Sequence, residues 1–130
     1  MFEHLNTLER AIAEAALAKR IITGNAIYDV KVGEGFVPSK FEFSPEEIAM
    51  AKNLTQKRID AIDWIKGALT IFEFTPRLSA RSIGQLISYS NMWQEQNPTK
   101  PKPELRLVVA EDDKDLRPTA EKLGIEVFVV

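Results

Sequence analysis

The segment RIDAIDWIKGALTIFEFTP, residues 58 to 76, decides the fold because it predicts a tight β-hairpin. Two apolar, β-prone runs flank Lys66-Gly67, a dipeptide suited to a two-residue turn. With that turn, the two strands pair in a register that places Asp60 directly across from Glu73. The hairpin therefore carries two carboxylates at positions where apolar core residues would fit equally well.

Asp60 and Glu73 would share one face of the hairpin, with Cβ atoms roughly 4.5–5.5 Å apart. Two carboxylates at that distance repel each other. A divalent cation between them would reverse the sign of the interaction, because Mg²⁺ and Mn²⁺ prefer hard oxygen ligands. The pattern predicts either a metal site or two acids that face water at strand ends. Asp63, on the opposite face, is expected to be solvated near the turn.

The composition of the 130-residue chain is typical of one globular domain with a modest core. Hydrophobic residues make up 45% and charged residues 28%, and the net charge of −2 predicts no global basic field for nucleic acid or membranes. The absence of cysteine excludes disulfides and thiolate metal sites. His4 is the sole histidine and lies near a chain end, which argues against a histidine triad or a zinc site.

Periodicity, caps and breakers predict the other elements and give the order α-β-α-β-β-α-β-α-β. This order predicts an α/β fold with a mixed sheet, antiparallel at the hairpin and flanked by helices. The expected elements are a helix over 3–22 that stops at Gly24-Asn25, a strand over 26–32, a loop over 33–43, a helix from the Ser44 cap to about Lys57, a helix from the Ser79 cap, a loop over 97–103, a strand over 105–110, a helix over 112–123 and a strand over 125–130.

The helix after the hairpin carries Arg81, Gln85 and Tyr89 four residues apart, so these side chains stack along one helix face. They form either the polar border of the core stripe or a row that reaches the two acids or a bound phosphate. Residues 52–81 contain six basic and three acidic side chains, a local positive balance suited to a nucleic-acid backbone.

This arrangement resembles the PD-(D/E)XK nuclease superfamily. The resemblance rests on Asp60, the hairpin to Glu73-Phe74-Thr75, and Gln85 and Tyr89 on the helix that follows. It covers residues 26–130 in order, including the LRLVVAEDD and GIEVFVV strands. The stretch YDVKVGEG and the proline after Thr75 are also similar to small nuclease-like phage proteins. The resemblance implies a single nuclease-like domain over 1–130 with a restriction-endonuclease-like core after an N-terminal helical segment, 1–25.

The resemblance also implies roles for individual residues. Asp60, Glu73 and the Phe74 carbonyl would hold Mg²⁺ or Mn²⁺, which binds the scissile phosphate and activates water. Gln85 and Tyr89 would orient the site or meet the DNA. An acid from the first helix sometimes joins such sites, and Glu9 and Glu14 are equal candidates. Contacts to the DNA backbone are expected from four basic residues: Lys57, Arg58, Arg77 and Arg81.

Thr75 departs from the family pattern, because it stands where the motif has lysine. A threonine hydroxyl can bond to water but brings no positive charge. Either Arg77 or Arg81 replaces that charge, or turnover is slow, or catalysis is lost. Three functions follow: a metal-dependent DNA nuclease, a catalytically inactive protein with an assembly role in a phage particle, and a DNA-binding module without chemistry.

The expected location is the cytoplasm of a host cell or a virion. No apolar run approaches the roughly 18 residues of a membrane span, and the charged start MFEHLNTLER does not resemble a secretory signal. DNA is the expected partner. The terminal IEVFVV strand would allow a homodimer if it lies at a sheet edge, and phage-particle proteins are the other expected partners.

Overall fold

A computed structural model describes residues 4–39 and 41–130 and contains one five-stranded mixed sheet flanked by helices. This is the α/β class that the sequence predicts, in the predicted order. The elements are α1 (Thr7–Ala18), β1 (Ile27–Val32), α2 (Pro45–Thr55), β2 (Lys57–Ile65), β3 (Ala68–Arg77), α3 (Ala80–Gln96), β4 (Glu104–Glu111), α4 (Arg117–Lys122) and β5 (Ile125–Val129).

The strands follow one another across the sheet in chain order. β1, β2 and β3 are antiparallel neighbours: residues 33–56, which include α2, connect β1 to β2, and the Lys66-Gly67 turn connects β2 to β3. β3, β4 and β5 are parallel neighbours, and each step between them passes through a helix, α3 and then α4. The antiparallel half therefore contains the hairpin, and the parallel half contains the crossover helices.

A core lies on each face of the sheet. On one face, α3 packs with Ile83, Leu86 and Trp93 over Ile62 and Ile71 of the hairpin. The opposite core is formed by α1 and the hairpin, and its buried members are Leu5, Ile12, Ala13, Ala16, Ile22, Ala61, Phe72, Phe74 and Val108. Both faces of β2 and β3 are therefore covered, and polar side chains on these strands are drawn into the interior.

Two helices end differently from the prediction. Residue 3, where the first helix was expected to begin, lies outside the described residues. α1 ends at Ala18 instead of continuing to residue 22, because Arg20 adopts a positive φ of 59° and Ile21 N–H bonds back to the Ala16 carbonyl at 2.9 Å. This is a Schellman-type end without the glycine that usually marks it. α2 ends at Thr55, since Lys57 already begins β2.

The fourth helix is also shorter than predicted. It was expected over 112–123 but covers only Arg117–Lys122. The Asp113 carboxylate accepts hydrogen bonds from the Asp115 and Leu116 backbone N–H groups at 3.0 and 3.2 Å, which makes a turn where a helix was expected. Within the described part of the chain, no helix is long and apolar enough to cross a membrane.

Candidate metal-binding nuclease site

The hairpin has the predicted register. Lys66 and Gly67 both have positive φ, 51° and 81°, as a two-residue type I′ turn requires. Ala61 then pairs with Phe72, and one further step along the ladder sets Asp60 opposite Glu73. The local turn alone therefore brings together two acids that are 13 residues apart.

Asp60 and Glu73 are both buried, with 9% and 7% of their surfaces exposed, so they do not simply face water. Asp60 is oriented by the Phe74 backbone N–H, which donates to its Oδ2 at 2.9 Å. The Asp60 backbone N–H points at Glu73 Oε1 across 3.4 Å, a long contact. Each side chain thus contacts a backbone N–H of the opposite strand, while the two like charges repel each other.

Burial raises the pKa of Glu73 well above its ordinary value, and the neighbouring Asp60 charge raises that pKa further. The charge of Glu9 in α1 also raises this pKa, whereas the Asp60 backbone N–H favours the ionised form and lowers it. Without a cation, the pair therefore favours a shared or retained proton. Glu9, and not Glu14, is the α1 acid whose charge reaches the pair.

His4 lies at this site, although its position near the start of the chain argued against a role for it. Its Nε2 is 3.5 Å from Asp60 Oδ1, longer than an ordinary hydrogen bond. Interaction with Asp60 raises the pKa of His4, and burial partly opposes that rise. No sequence pattern indicated this contact, because it joins residues far apart in the chain.

Asp29 is a third strand acid beside the pair. Its neighbours Tyr28 and Val30 pair with Ala61 and Ile59, which sets Asp29 opposite Asp60 in the β1–β2 register. Its φ of 57° interrupts the ladder there. Asp29 Oδ2 accepts from Arg58 at 2.8 Å, so this acid has an arginine partner, whereas Asp60 has only the longer contact with His4.

A cleft of about 600 Å³ opens beside Asp60 and is lined also by His4, Lys57, Arg58 and Tyr89. Burial raises the pKa of Tyr89, and the charges of Glu73 and Asp60 add to the effect while Arg81 opposes it. Tyr89 therefore lies within electrostatic reach of both acids, and Arg81 lies close enough to act on Tyr89.

The remaining predicted site residues are not part of the described lining of this cleft. Gln85 is half-buried one turn before Tyr89, and Thr75 is half-buried in β3, in register with Val109. Arg77 is exposed and lies 3.7 Å from Asp113, and it is absent from the described lining of the cleft. Of the two candidates for the missing lysine charge, Arg81 is thus the one that acts on the site.

The side chains at this site supply part of the ligand set that a divalent cation needs. In residues 4–39 and 41–130, no group of three or more His, Cys, Asp or Glu side chains forms a complete metal cage. Mg²⁺ commonly uses one or two carboxylates and takes its other ligands from water and phosphate. The buried Asp60 and Glu73 carboxylates match that requirement.

The surroundings of Asp63 differ from the prediction. It was expected to be solvated near the turn, but it is only 1% exposed. Its carboxylate accepts from Thr23 N–H at 2.7 Å, from the Thr23 hydroxyl at 3.0 Å and from Trp64 N–H at 2.8 Å. The segment after α1 crosses this face of the sheet, and Asp63 holds it there.

Comparison with known proteins identifies the fold. No family model matches the sequence, and no curated protein matches it significantly. Among solved structures, the chain is similar to a repair endonuclease from Pyrococcus abyssi, with a TM-score of 0.58 and 14% sequence identity. The match covers 97% of this chain and 48% of that protein, so this chain spans about half its length. At this identity the likeness establishes a shared nuclease-like α/β fold.

Proposed function

We propose that the protein is a divalent-metal-dependent DNA nuclease that hydrolyses phosphodiester bonds. The observation that carries this proposal is the buried Asp60–Glu73 pair, whose mutual repulsion destabilises the fold unless a cation or a proton lies between the carboxylates. The likeness in fold between this chain and a protein described as a repair endonuclease supports the same activity. The resemblance to PD-(D/E)XK nucleases supports a metal site at this pair.

In this mechanism, Asp60 and Glu73 would hold Mg²⁺ or Mn²⁺ together with the Phe74 carbonyl. When bound, such an ion would supply Lewis-acid chemistry to the scissile phosphate and to an attacking water. The Phe74 backbone N–H fixes the Asp60 carboxylate in the orientation that binding needs. Tyr89, with Gln85 one turn earlier, orients the phosphate or the water from the α3 side.

Positive charge for the transition state comes from residues around the cleft. Lys57 and Arg58 line it and bind the DNA backbone, although Asp29 already takes part of the Arg58 charge. Arg81 replaces the motif lysine as a charge near Tyr89. An arginine holds phosphate well but retains its proton, so it replaces the charge of lysine and not a base. Thr75 contributes a hydroxyl only.

The test is Mg²⁺- and Mn²⁺-dependent cleavage of a labelled DNA panel that contains single-stranded, duplex and branched molecules. Wild type is expected to cut, and Asp60→Asn is expected to lose at least about 100-fold in rate, since it removes a charged ligand while keeping the Phe74 contact. Glu14→Gln, an exposed change on α1, is the matched control and should cut like wild type.

Thr75 favours a second candidate, a catalytically inactive protein on the same fold that serves assembly, for example in a phage particle. Thr75→Lys distinguishes the two candidates. If wild type is inert and Thr75→Lys cuts, the site lacks only a charge and the inactive candidate is correct. If neither protein cuts with either metal, the nuclease proposal fails. Salt-sensitive binding without metal would then identify a DNA-binding module.

A further inference from the structure

α2 and the loop before it form a projection that the core does not cover. None of the α2 residues is buried, and its apolar side chains Met50 and Leu54, four residues apart, share one exposed face. Phe36 in the preceding loop is also exposed. We call residues 33–39 and 41–56 the apolar arm. The exposed fractions are 74% for Leu54 and 64% for both Met50 and Phe36, so these side chains are open to a ligand.

The apolar arm is held in a defined position. Thr55 Oγ1 accepts from Phe36 N–H at 2.5 Å and donates to the Ala51 carbonyl at 2.7 Å. A Cβ added at Gly35 would lie 2.5 Å from the Lys52 carbonyl oxygen, so the loop lies directly against the last turn of α2. Gln56 bonds to the Gly33 carbonyl at 2.9 Å. Phe36 is therefore presented beside the C-terminal end of α2.

The C-terminal end of α2 lies beside the cleft of the candidate site. Leu54 lines the same cleft as Asp60, and Lys57 lines both that cleft and the neighbouring cavity that contains Phe36. Both signs of charge lie at this end of the arm. Lys52 lies in the last turn of α2, and Lys57 and Arg58 line the cleft, whereas Glu34 lines the neighbouring cavity beside Phe36.

Apolar side chains beside a phosphate-binding cleft distinguish between forms of DNA. Duplex DNA presents phosphates and sugars to a protein surface, and its bases are stacked inside, so Phe36 and Leu54 gain little from it. An unpaired strand exposes its bases, which stack on aromatic side chains and contact apolar ones next to a basic groove. The position of the apolar arm therefore suits a strand whose phosphate enters the cleft while adjoining bases are unpaired.

We infer that the substrate is DNA with a single-stranded segment adjoining the cut, and that Phe36 and Leu54 contact its unpaired bases. This inference rests on the proposed nuclease function and specifies its substrate class. A second copy of this chain is the competing occupant of the same apolar face.

The experiment measures binding by fluorescence anisotropy with Ca²⁺, a hard cation for oxygen ligands, and a gel to verify that the DNA stays intact. The probes are one oligonucleotide sequence, either single-stranded or annealed to its complement. The proteins are wild type, Phe36→Ser, Leu54→Ser and Leu123→Ser. Leu123 is the matched control, because it is an exposed leucine after α4 that does not line either cavity.

Wild type is expected to bind the single strand at least about ten-fold more tightly than the duplex. Loss of one base contact should weaken single-strand binding by about five-fold or more for Phe36→Ser and Leu54→Ser. Duplex binding should change by less than about two-fold, and Leu123→Ser should match wild type for both probes. Thermal unfolding of each variant verifies that the exposed substitutions leave the fold intact.

Other outcomes overturn the inference in distinguishable ways. If Phe36→Ser and Leu54→Ser lose equal affinity for both probes, or lose none for either, the arm does not recognise unpaired bases. Cleavage that depends on Asp60 would still support the nuclease function in that case. A wild-type dimer in analytical ultracentrifugation that Leu54→Ser converts to a monomer would assign the face to a second copy. Absence of both binding and cleavage would remove the inference together with the proposed function.

Discussion

Strand β2 contains two buried aspartates three residues apart, and their surroundings are opposite. Asp63 accepts three hydrogen bonds, two from Thr23 and one from Trp64 N–H, so its carboxylate is compensated by donors. Asp60 accepts one from Phe74 N–H, lies 3.5 Å from His4 Nε2 and faces another buried acid, Glu73. One aspartate connects a chain segment to the sheet. The other is held close to a like charge.

The difference teaches that burial by itself does not mark a functional acid. A buried carboxylate that accepts enough hydrogen bonds stabilises the fold, and those hydrogen bonds explain its burial. Two buried acids that face each other with few donors repel each other, and a cation or a proton relieves that repulsion. Asp63 is therefore structural and Asp60 is the functional candidate, although both occupy the same strand.

The largest effect on stability is expected at Asp63. Asp63→Ala leaves Thr23 N–H and the Thr23 hydroxyl without their acceptor and should reduce the free energy of unfolding by about 3 kcal/mol. Chemical denaturation at neutral pH measures the change. Asp115→Ala, an exposed aspartate in the turn before α4, is the control and should shift the free energy by less than about 0.5 kcal/mol. A loss that small for Asp63→Ala would remove its structural role.

The second effect is stabilisation by metal. Mn²⁺ or Mg²⁺ at 100 times its dissociation constant should stabilise wild type by about 2.7 kcal/mol, because the ion binds the folded acid pair and not the separated residues. Thermal unfolding with and without the metal detects this as a raised midpoint. Glu73→Gln should lose the response and Glu14→Gln should keep it. An equal response in both variants would show that the ion binds elsewhere.

The third effect is a pH dependence with a definite sign. The pKa of Glu73 is raised in the folded state from an ordinary value of 4.5, so the folded protein keeps a proton that the unfolded chain has lost. In metal-free buffer, the contribution of Glu73 to stability therefore falls as pH rises from about 4.5 towards its folded pKa. Glu73→Gln should therefore be more stable than wild type at pH 8.

That advantage should disappear below pH 4.5, where Glu73 is protonated in both states. Denaturation midpoints of wild type and Glu73→Gln across this pH range measure it, and Glu14→Gln gives the baseline for a surface change. A variant less stable than wild type at pH 8 would mean that the Glu73 carboxylate is compensated in the fold, as Asp63 is.

The central acids of the candidate site could be predicted from the sequence, and the surrounding ones could not. Asp60 and Glu73 meet through a two-residue turn, a local feature with few geometric options. His4, Glu9 and Asp29 reach the pair through the packing of α1 and the edge pairing of β1, and no local pattern encodes those distances. The buried state of both central acids likewise depends on the helices that cover the hairpin.

Short-range chemistry in the sequence determined the hairpin register at Lys66-Gly67 and the helix starts at Ser44 and Ser79, because caps and turns involve residues at most a few positions apart. Tertiary structure alone decided that α1 ends at a non-glycine residue and that Asp63 binds Thr23, 40 residues away. The free energies of such contacts depend on which surfaces the completed sheet and helices bring together.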